Sequence, residues 1–372
     1  MNPEFLREAF ELARQGRGLA SPNPLVGAVL VRHGEVVGRG FHTYPGVAHA
    51  EFRALEEAGE RASGATLYIN MEPCCHQGRT PPCADALIDA KIASVVAAME
   101  DPNPLVAGEG FRRLRAAGIE VHLAHEFAAE AEQLNLCFNH FMRTGLPLVT
   151  LKSAVTLDGK IAAPDDNQGW ITSEVARAHV QELRHESDAI MTGIGTVLGD
   201  DCLLTDRTGR PRSRPLVRIV ADSLLRLPTG SKMVQSCSVL DGISDLVVAT
   251  TSAASEIRRK ALESAGAQVL TCDGHGGRVD LRKVVRWLAT QRCLSLMIEA
   301  GSKLNWAALD SGVVDRLFLY YGPKILGGLQ SLPMVGGTGR RKRSEAILAR
   351  NVKLHVIPPD EFAVEGFIVK GT

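Results

Sequence analysis

The sequence lacks net charge, long apolar runs and internal repeats, and each lack excludes a class of protein. Lys and Arg together number 42, and so do Asp and Glu, so the formal net charge is zero. This balance argues against a large nucleic-acid interface, which needs an excess of basic side chains. No stretch approaches the roughly 20 apolar residues that cross a bilayer, and the charged N-terminal stretch lacks the apolar core of a signal peptide. We therefore predict a cytoplasmic protein that binds neither nucleic acid nor membrane.

Short apolar runs alternate with amphipathic stretches and predict two α/β domains. At 372 residues the chain is about twice the usual length of one domain. In the first half the predicted strands are 25–31, 66–70, 93–98 and 119–123, and the predicted helices are 4–14, 50–61, 83–91, 109–117 and 128–143. In the second half the predicted strands are 148–155, 188–192, 216–221, 246–250, 295–299 and 316–321, and the predicted helices are 173–187, 255–265, 280–291 and 303–310. A Gly-Leu-Pro break after Thr144 places the boundary near residue 145 and gives domains 1–145 and 146–372.

Three of the eight cysteines are clustered, and a His-Ala-Glu triplet precedes them. The cluster is Cys74, Cys75 and Cys83, and the triplet runs from His49 to Glu51. In a reducing compartment, clustered cysteines bind metal more often than they form disulfides. The remaining cysteines stand singly and are predicted to be packing residues: Cys137, Cys202, Cys237, Cys272 and Cys293.

One imidazole and two thiolates are a ligand set that suits zinc and leaves a fourth position for water. Zinc lowers the pKa of its water to about 7, and a nearby carboxylate that is not a ligand can move the protons. Glu51 is the candidate for that carboxylate. A His-x-Glu followed by Pro-Cys-x-x-Cys is typical of zinc nucleobase deaminases. Here the residues between Cys74 and Cys83 are 75–82, a longer spacing than in that signature.

The spacing of His49 and Glu51 requires a particular backbone. Residues i and i+2 point to different sides of a regular helix, so the two side chains converge only if His49 lies in a half-extended first turn. The turn-prone segment 44–47 predicts such a helix start, and Pro82 predicts another at Cys83.

The second half carries weaker signals. Glycines 193, 195 and 199 follow a strand, but the third is one residue late for a dinucleotide fingerprint. The junction at 300–304 could bind an anion at a helix N-terminus. Arginines 207, 210, 212 and 214 could bind phosphate or form a solvated turn. From the residues alone, three alternatives stay open: a nucleic-acid or nucleoside deaminase, a deaminase with a C-terminal regulatory ligand-binding domain, and a non-catalytic zinc scaffold.

The segment 72–83, which reads EPCCHQGRTPPC, resembles the deaminase half of the bifunctional riboflavin-synthesis deaminase–reductase family, as do 22–27 and 101–108. The resemblance implies a cytidine-deaminase-like α/β/α sandwich in which His49, Cys74 and Cys83 hold one zinc ion and Glu51 moves protons. It also implies that Asn23 lines a pyrimidine pocket and that His76 lies beside it. Cys75 departs from the family pattern, which has Ser there, and leaves open which thiol is the ligand.

The second half resembles the reductase half of the same family, which is similar in fold to dihydrofolate reductase. The matching segments are 151–162, 170–173, 195–201, 298–301 and 323–327. The implied NADPH contacts are Ala154, Trp170, Thr196, Asp200, Ser223, Gly301, Ser302, Lys303, Leu304 and Asn305. The implied ribose-phosphate contacts are Gln168, Arg184, Leu204, Arg207 and Glu299. Cys202 and Leu203 depart from the family pattern, which commonly has Pro there.

Two consecutive reactions are implied by the resemblance. The first is hydrolytic deamination of 2,5-diamino-6-ribosylamino-4(3H)-pyrimidinone 5′-phosphate, and the second is NADPH-dependent reduction of its ribosyl group to ribityl. NADPH rather than NADH rests on the resemblance alone. The sequence leaves open whether the chain forms a homo-oligomer and whether the intermediate passes directly between the sites.

Overall fold

The computed structural model describes residues 2–46, 48–77, 81–165, 168–240 and 243–370. The chain forms two compact units, Met1–Gly145 with Arg210–Arg214, and Leu146–Gly209 with Pro215–Thr372. The short segment Arg210–Arg214 belongs to the first unit because its backbone bonds there. The Ser213 amide donates to the Gly18 carbonyl (N···O 2.7 Å), and the Ser213 hydroxyl donates to the Ser21 carbonyl (2.9 Å).

The first unit is a sheet covered by helices on both faces. Its strands are β1 (Gly27–Arg32), β2 (Glu35–Phe41), β3 (Thr66–Ile69), β4 (Ser94–Ala97) and β5 (Glu120–Leu123). Its helices are α1 (Pro3–Gln15), α2 (Ala50–Ala58), α3 (Cys83–Asp89), α4 (Glu109–Ala116), α5 (Ala128–Leu134) and α6 (Leu136–Thr144). The strand order is β2-β1-β3-β4-β5, with β1 antiparallel to its neighbours and β3, β4 and β5 parallel.

The alternation of side chains along β1 builds the two cores of this unit. Ala28 and Leu30 pack with α2, α3 and α4, whereas Val29 and Val31 pack with α1 and α5. Successive side chains of a strand point to opposite faces of the sheet, so one strand serves both layers. The predicted α/β/α sandwich is confirmed.

Strand β2 was not predicted, because two glycines interrupt its apolar pattern. A Cβ atom at Gly38 would lie 2.1 Å from the carbonyl oxygen of Ala54, and one at Gly40 would lie 2.1 Å from that of Ala50. Glycine at these positions therefore lets α2 pack directly on the backbone of β2. This close packing places the start of α2, where His49 lies, beside the end of β2.

The second unit contains the longer sheet. Its strands are β6 (Leu148–Thr156), β7 (Lys160–Ala162), β8 (Ala189–Gly193), β9 (Val217–Ala221), β10 (Val239–Leu240), β11 (Ile243–Ser244), β12 (Leu246–Thr250), β13 (Gln268–Thr271), β14 (Ser295–Glu299), β15 (Arg316–Gly322), β16 (Leu332–Pro333), β17 (Ala349–Ile357) and β18 (Glu361–Ile368). Its helices are α7 (Glu174–Glu186), α8 (Ile194–Asp200), α9 (Lys232–Gln235), α10 (Glu256–Ser264), α11 (Leu281–Thr290) and α12 (Ser302–Asp310).

In the described part of the second unit, nine strands form one sheet in the order β13-β12-β9-β8-β14-β6-β15-β18-β17. The strands from β13 to β15 run parallel, and β18 and β17 add an antiparallel hairpin at one edge. Helices α11 and α12 cover one face, and α8, α9 and α10 cover the other. Ligands of such sheets bind beyond the carboxyl ends of the parallel strands, so residues there are the candidates for a second site.

The predicted helix 128–143 is wrong in one respect, because it is interrupted at Asn135. The Asn135 side chain is buried and bonds both backbone groups of Leu25, accepting from its N–H (2.7 Å) and donating to its carbonyl (2.9 Å). These bonds hold Asn135 out of helical geometry, at φ −105° and ψ 26°.

No helix in the described ranges has the length and apolar character needed to cross a membrane.

Candidate functional site

Two helix starts bring the predicted metal ligands together in the first unit. His49 precedes α2 in an extended conformation, with φ −73° and ψ 164°, and Cys83 is the first residue of α3 after Pro82. Both helix starts were predicted from the sequence, and both are confirmed. Because His49 lies outside the regular helix, its side chain and that of Glu51 can face the same point.

The three ligand atoms lie within 4.8 Å of one another. His49 Nδ1 is 3.2 Å from Cys83 Sγ and 3.5 Å from Cys74 Sγ. The Cys83 amide donates to Cys74 Sγ (3.4 Å), and the Ala84 amide donates to the Cys74 carbonyl (3.0 Å). The start of α3 thus holds the Cys74 loop in place, and the donors form the nitrogen and sulfur set that zinc prefers.

Glu51 lies in the first turn of α2 and is buried, with 3% of its surface exposed. Burial raises the pKa of Glu51 to about 6, against the lowering effect of His49. A carboxyl group whose pKa lies near neutrality can both accept and return a proton. The group beside the cluster is therefore suited to acid–base chemistry.

The thiols of Cys74 and Cys83 shift each other's pKa. Hydrogen bonds with Cys83 first and then with His49 together lower the pKa of Cys74 to about 4, although burial opposes them. Hydrogen bonding with Cys74 and burial raise the pKa of Cys83. Burial also raises the pKa of Cys75, whose Sγ lies 3.8 Å from the Leu105 carbonyl oxygen, away from the cluster. Cys74 rather than Cys75 thus has the position and the thiolate character of a ligand.

Of the predicted pyrimidine-pocket residues, Asn23 contacts a histidine beside the cluster that the sequence analysis did not select. Asn23 Nδ2 is 2.9 Å from Nε2 of His42, and the rings of His42 and His49 meet edge to face with centroids 5.0 Å apart. His76 Nδ1 is buried and has no hydrogen-bond partner among the described residues. An unpartnered buried nitrogen of this kind is a natural contact for a ligand.

Glu72 anchors the loop that follows β4. Its carboxylate accepts hydrogen bonds from the amides of Asp101 (3.1 Å), Gly108 (2.9 Å) and Phe111 (3.1 Å). The last two amides belong to the start of α4, where a negative charge is favoured. Burial raises the pKa of Asp101 to about 7. The segment before Cys74 is thereby fixed to the 101–111 loop.

A second cluster lies at the carboxyl end of β14, opposite the middle of β6, in the second unit. Arg184 binds Glu299 through two hydrogen bonds, Nε to Oε1 (2.7 Å) and Nη2 to Oε2 (3.1 Å). Lys152 Nζ donates to Glu299 Oε2 (3.2 Å), and the two residues are paired across the parallel strands. Lys152 was not among the predicted site residues, although a lysine in a buried strand was a usable signal.

The predicted contacts in the loop after α8 lie next to this cluster. Arg184 Nη1 donates to the Thr205 carbonyl (3.0 Å), and the Arg207 amide donates to the Gln181 side chain (3.0 Å). The Leu204 side chain is buried, and its backbone is left-handed, with φ +51°. Such a backbone is uncommon for a residue with a Cβ atom, and it sets the shape of this loop. Gln168 is exposed.

The predicted cofactor contacts form one close group and several separate positions. A Cβ atom at Gly301 would lie 3.9 Å from Thr196 Oγ1, which brings the start of α12 beside α8. Ser302 Oγ and Asn305 Oδ1, both in α12, are buried without a hydrogen-bond partner among the described residues. The other predicted positions are Lys303 and Leu304 in α12, Asp200 at the end of α8, Ser223 after β9, Ala154 in β6, and Trp170, which is 64% exposed.

Comparisons with known proteins agree with a metal site in the first unit and a different site in the second unit. Residues 147–360 match the family model described as the RibD C-terminal domain, and residues 1–99 match the cytidine and deoxycytidylate deaminase zinc-binding region. The chain is 42% identical to the riboflavin biosynthesis protein RibD of Actinobacillus pleuropneumoniae over 96% of this chain and 93% of that protein. It is 41% identical to RibD of Escherichia coli K12, with 96% of each chain covered.

Solved structures give the same result. The chain is similar to Acinetobacter baumannii RibD with a TM-score of 0.86 and 34% identity, covering 99% of this chain and 98% of that one. It is also similar to a diaminohydroxyphosphoribosylaminopyrimidine deaminase/5-amino-6-(5-phosphoribosylamino)uracil reductase from Thermotoga maritima, with a TM-score of 0.82, 32% identity and 98% coverage of both chains. The predicted fold class of both domains is confirmed. The chain belongs to the RibD family, the bifunctional deaminase–reductases of riboflavin biosynthesis.

Proposed function

We propose that the first unit removes the 2-amino group of 2,5-diamino-6-ribosylamino-4(3H)-pyrimidinone 5′-phosphate by hydrolysis. The observation that carries the proposal is the convergence of His49, Cys74 and Cys83 within 4.8 Å beside the buried Glu51. A structural zinc site has four protein ligands and needs no buried carboxylate. This cluster offers three ligands among the described residues, so a position is left for the reacting water.

His49, Cys74 and Cys83 would hold one zinc ion per chain. When bound, zinc supplies a water whose pKa is lowered to about 7. Glu51 would take a proton from the attacking water as the water oxygen bonds to C2 of the pyrimidine. It would then deliver a proton to the 2-amino nitrogen as the C2–N bond breaks, so that water is consumed and ammonia leaves. The pKa of about 6 at Glu51 allows the carboxyl group to act in both directions near neutral pH.

Asn23 and His76 are proposed to bind the substrate of this reaction. Asn23 is linked to the cluster through His42. The buried Nδ1 of His76 has no partner among the described residues and gains a hydrogen bond when substrate is present. Such bonds fix the orientation of C2 relative to Glu51, and orientation is a large part of the rate acceleration in enzymes.

The second unit is proposed to bind the deaminated product at the cluster of Arg184, Glu299 and Lys152. Glu299 accepts hydrogen bonds from ribose hydroxyl groups. Lys152 uses one of its three N–H groups in the bond to Glu299, and the others can donate to the substrate. Arg207, whose backbone amide is fixed by Gln181, binds the 5′-phosphate. Gln168 and Leu204 complete the proposed set of substrate contacts.

NADPH is the proposed cofactor of the second unit, and the structure of α12 fits a dinucleotide. The buried Ser302 Oγ and Asn305 Oδ1 lack protein partners among the described residues, and the start of a helix favours phosphate. When bound, NADPH supplies the hydride that C1′ of the ribosyl group receives as the C1′–O4′ bond opens and O4′ takes a proton. The proposed contacts are Ala154, Trp170, Thr196, Asp200, Ser223, Gly301, Ser302, Lys303, Leu304 and Asn305.

We also propose that the two activities divide near residue 145 and that the protein is cytoplasmic. All eight cysteines lie in the described ranges and none of them forms a disulfide there, which is the usual state in a reducing compartment.

The test is product identification by mass spectrometry. Zinc-loaded protein is given the diaminopyrimidinone ribosyl phosphate, first alone and then with NADPH. We expect the deaminated ribosyl compound in the first reaction and the ribityl compound in the second. Unchanged substrate in both reactions would contradict the proposal, and deamination without reduction would limit it to the first unit.

A further inference from the structure

The imidazole of His42 has both of its nitrogens in hydrogen bonds, although it is neither a metal ligand nor a predicted contact. Nδ1 is 3.1 Å from the Ala48 carbonyl oxygen, and Nε2 is 2.9 Å from Nδ2 of Asn23. His42 is 3% exposed. A buried imidazole bonded at both nitrogens is held in one orientation.

The two partners determine which nitrogen carries the proton. A backbone carbonyl only accepts, so Nδ1 must donate to Ala48. The partner of Nε2 is the amide nitrogen Nδ2 of Asn23, which only donates, so Nε2 accepts. The amide of Asn23 is thereby oriented, because its NH₂ faces His42 and its oxygen Oδ1 must point elsewhere.

We propose that His42 is a positioning residue that fixes the Asn23 amide so that Oδ1 accepts a hydrogen bond from an N–H group of the pyrimidine. The inference rests on the proposed function, because that function places Asn23 in the pyrimidine pocket. It assigns Asn23 a specificity: the site selects an aminopyrimidinone that presents a donor at this position. A ring with only an acceptor at this position could not form a hydrogen bond with the Asn23 oxygen. Both acceptors would then be buried without a partner, which weakens binding.

The chain of hydrogen bonds from the Ala48 carbonyl through His42 to Asn23, called the relay below, includes the residue that precedes the metal ligand His49. The carbonyl that accepts from His42 belongs to Ala48, the residue before His49. The His42 backbone amide donates to the Val26 carbonyl (3.0 Å) beside β1. The rings of His42 and His49 meet edge to face at an interplanar angle of 76°. The position of the Asn23 side chain relative to the metal site is therefore fixed before substrate binds.

The first test reads the tautomer of His42 directly. ¹⁵N-histidine NMR is recorded on the zinc-loaded full-length protein without substrate, and the His42 signals are assigned by their loss in His42→Gln. We expect Nδ1 to be protonated and Nε2 to be unprotonated. Protonation at Nε2 instead would overturn the relay. This result does not depend on activity, so it separates failure of the relay from failure of the proposed function.

The second test is a double-mutant cycle on deamination. His42→Phe keeps the ring and removes both hydrogen bonds, and we expect kcat/KM to fall about tenfold, mainly through KM, with zinc content unchanged. His42→Gln should recover part of the loss, because its amide oxygen can accept from Asn23. Since His42 acts through Asn23, adding His42→Phe to Asn23→Leu should cause little further loss.

A full additional loss in the double variant would overturn the proposal, as would a wild-type KM in His42→Phe. The matched control is His122→Gln, a change at an exposed histidine on β5 of the same unit, which should leave KM and kcat unchanged. If His42→Phe fails to fold, the KM of His42→Gln and the tautomer measurement on the unaltered protein still test the proposal.

Discussion

Arg184 and Glu299 form a buried ion pair, joined by two hydrogen bonds of 2.7 and 3.1 Å. Their side chains are only 10% and 12% exposed. Burial alone would raise the pKa of Glu299, but the charges of Lys152 and Arg184 and their hydrogen bonds lower it from 4.5 to about 2. The carboxylate is therefore held charged for substrate binding, and its ionisation is coupled to the stability of the second unit.

The ion pair should make the second unit sensitive to acid. The folded pKa of Glu299 lies below its usual value, so the stabilisation is complete above about pH 4.5 and is lost as the pH falls towards 2. Glu299→Gln should lower the free energy of unfolding by about 3 kcal/mol at neutral pH, because it removes the carboxylate that pairs with Arg184 and Lys152, and it should flatten the acid dependence. Urea unfolding between about pH 5 and pH 3 measures this.

Tryptophan fluorescence isolates the unit concerned, because Trp170, Trp287 and Trp306 are the three tryptophans of the chain and all lie in 146–372. Equal acid dependence in the variant and the unaltered protein would show that the pair does not couple to folding.

The choice between the two adjacent thiols can be made by metal analysis. Cys83→Ser should lose zinc and deamination together, and Cys74→Ser should behave alike, because each removes one of three protein ligands. Cys75→Ser should keep both, since Cys75 Sγ faces the Leu105 carbonyl. Loss of zinc in Cys75→Ser with retention in Cys74→Ser would show that Cys75 is the ligand.

Glu51→Gln should keep the fold and the zinc but lose ammonia release by about 10²–10⁴-fold, because the isosteric amide cannot carry the proton. Ammonia release and zinc content are measured on the same preparation. Glu56→Gln, an exposed change on the same helix, is the control and should be silent. Near-normal ammonia release from Glu51→Gln would remove Glu51 from the proton path.

Arg207→Ala should raise the KM for the deaminated intermediate and leave NADPH affinity and ammonia release little changed, because a guanidinium can pair with phosphate through two hydrogen bonds. Asp200→Ala should instead impair NADPH consumption through weaker cofactor binding. Steady-state kinetics with each compound varied distinguishes the two, with the exposed Arg286→Ala on α11 as the control. Weakened NADPH binding in Arg207→Ala would assign Arg207 to the 2′-phosphate, and no effect would make it part of a solvated turn.

The metal site could be predicted from the sequence because its signals are local. His49, Glu51, Cys74 and Cys83 belong to two short motifs, and proline and turn residues mark the helix starts that orient them. Most parallel strands, though not β13, and most helices followed from apolar periodicity in the same way. The hairpin of β17 and β18 did not, because the residues of β17 are almost all exposed and give no alternation of buried and exposed positions.

The residues that the sequence analysis did not select act through contacts that only the fold creates. Lys152 meets Glu299 because β6 and β14 pair in register, 147 positions apart in the chain. His42 contacts Asn23 just after the end of β2. Strand β2 itself was not predicted, because Gly38 and Gly40 interrupt its apolar pattern. A single polar residue in a strand or just after one has no periodic signature, so its partner becomes visible only when strand order is known.

The central claim is that one chain carries out the two reactions in order at separate sites. It is tested most directly by following NADPH absorbance in the full-length Glu51→Gln protein with two substrates. We predict no NADPH oxidation with the diaminopyrimidinone ribosyl phosphate and a rate equal to that of the unaltered protein with its deaminated product. Normal oxidation with the first compound, or none with the second, would contradict the account.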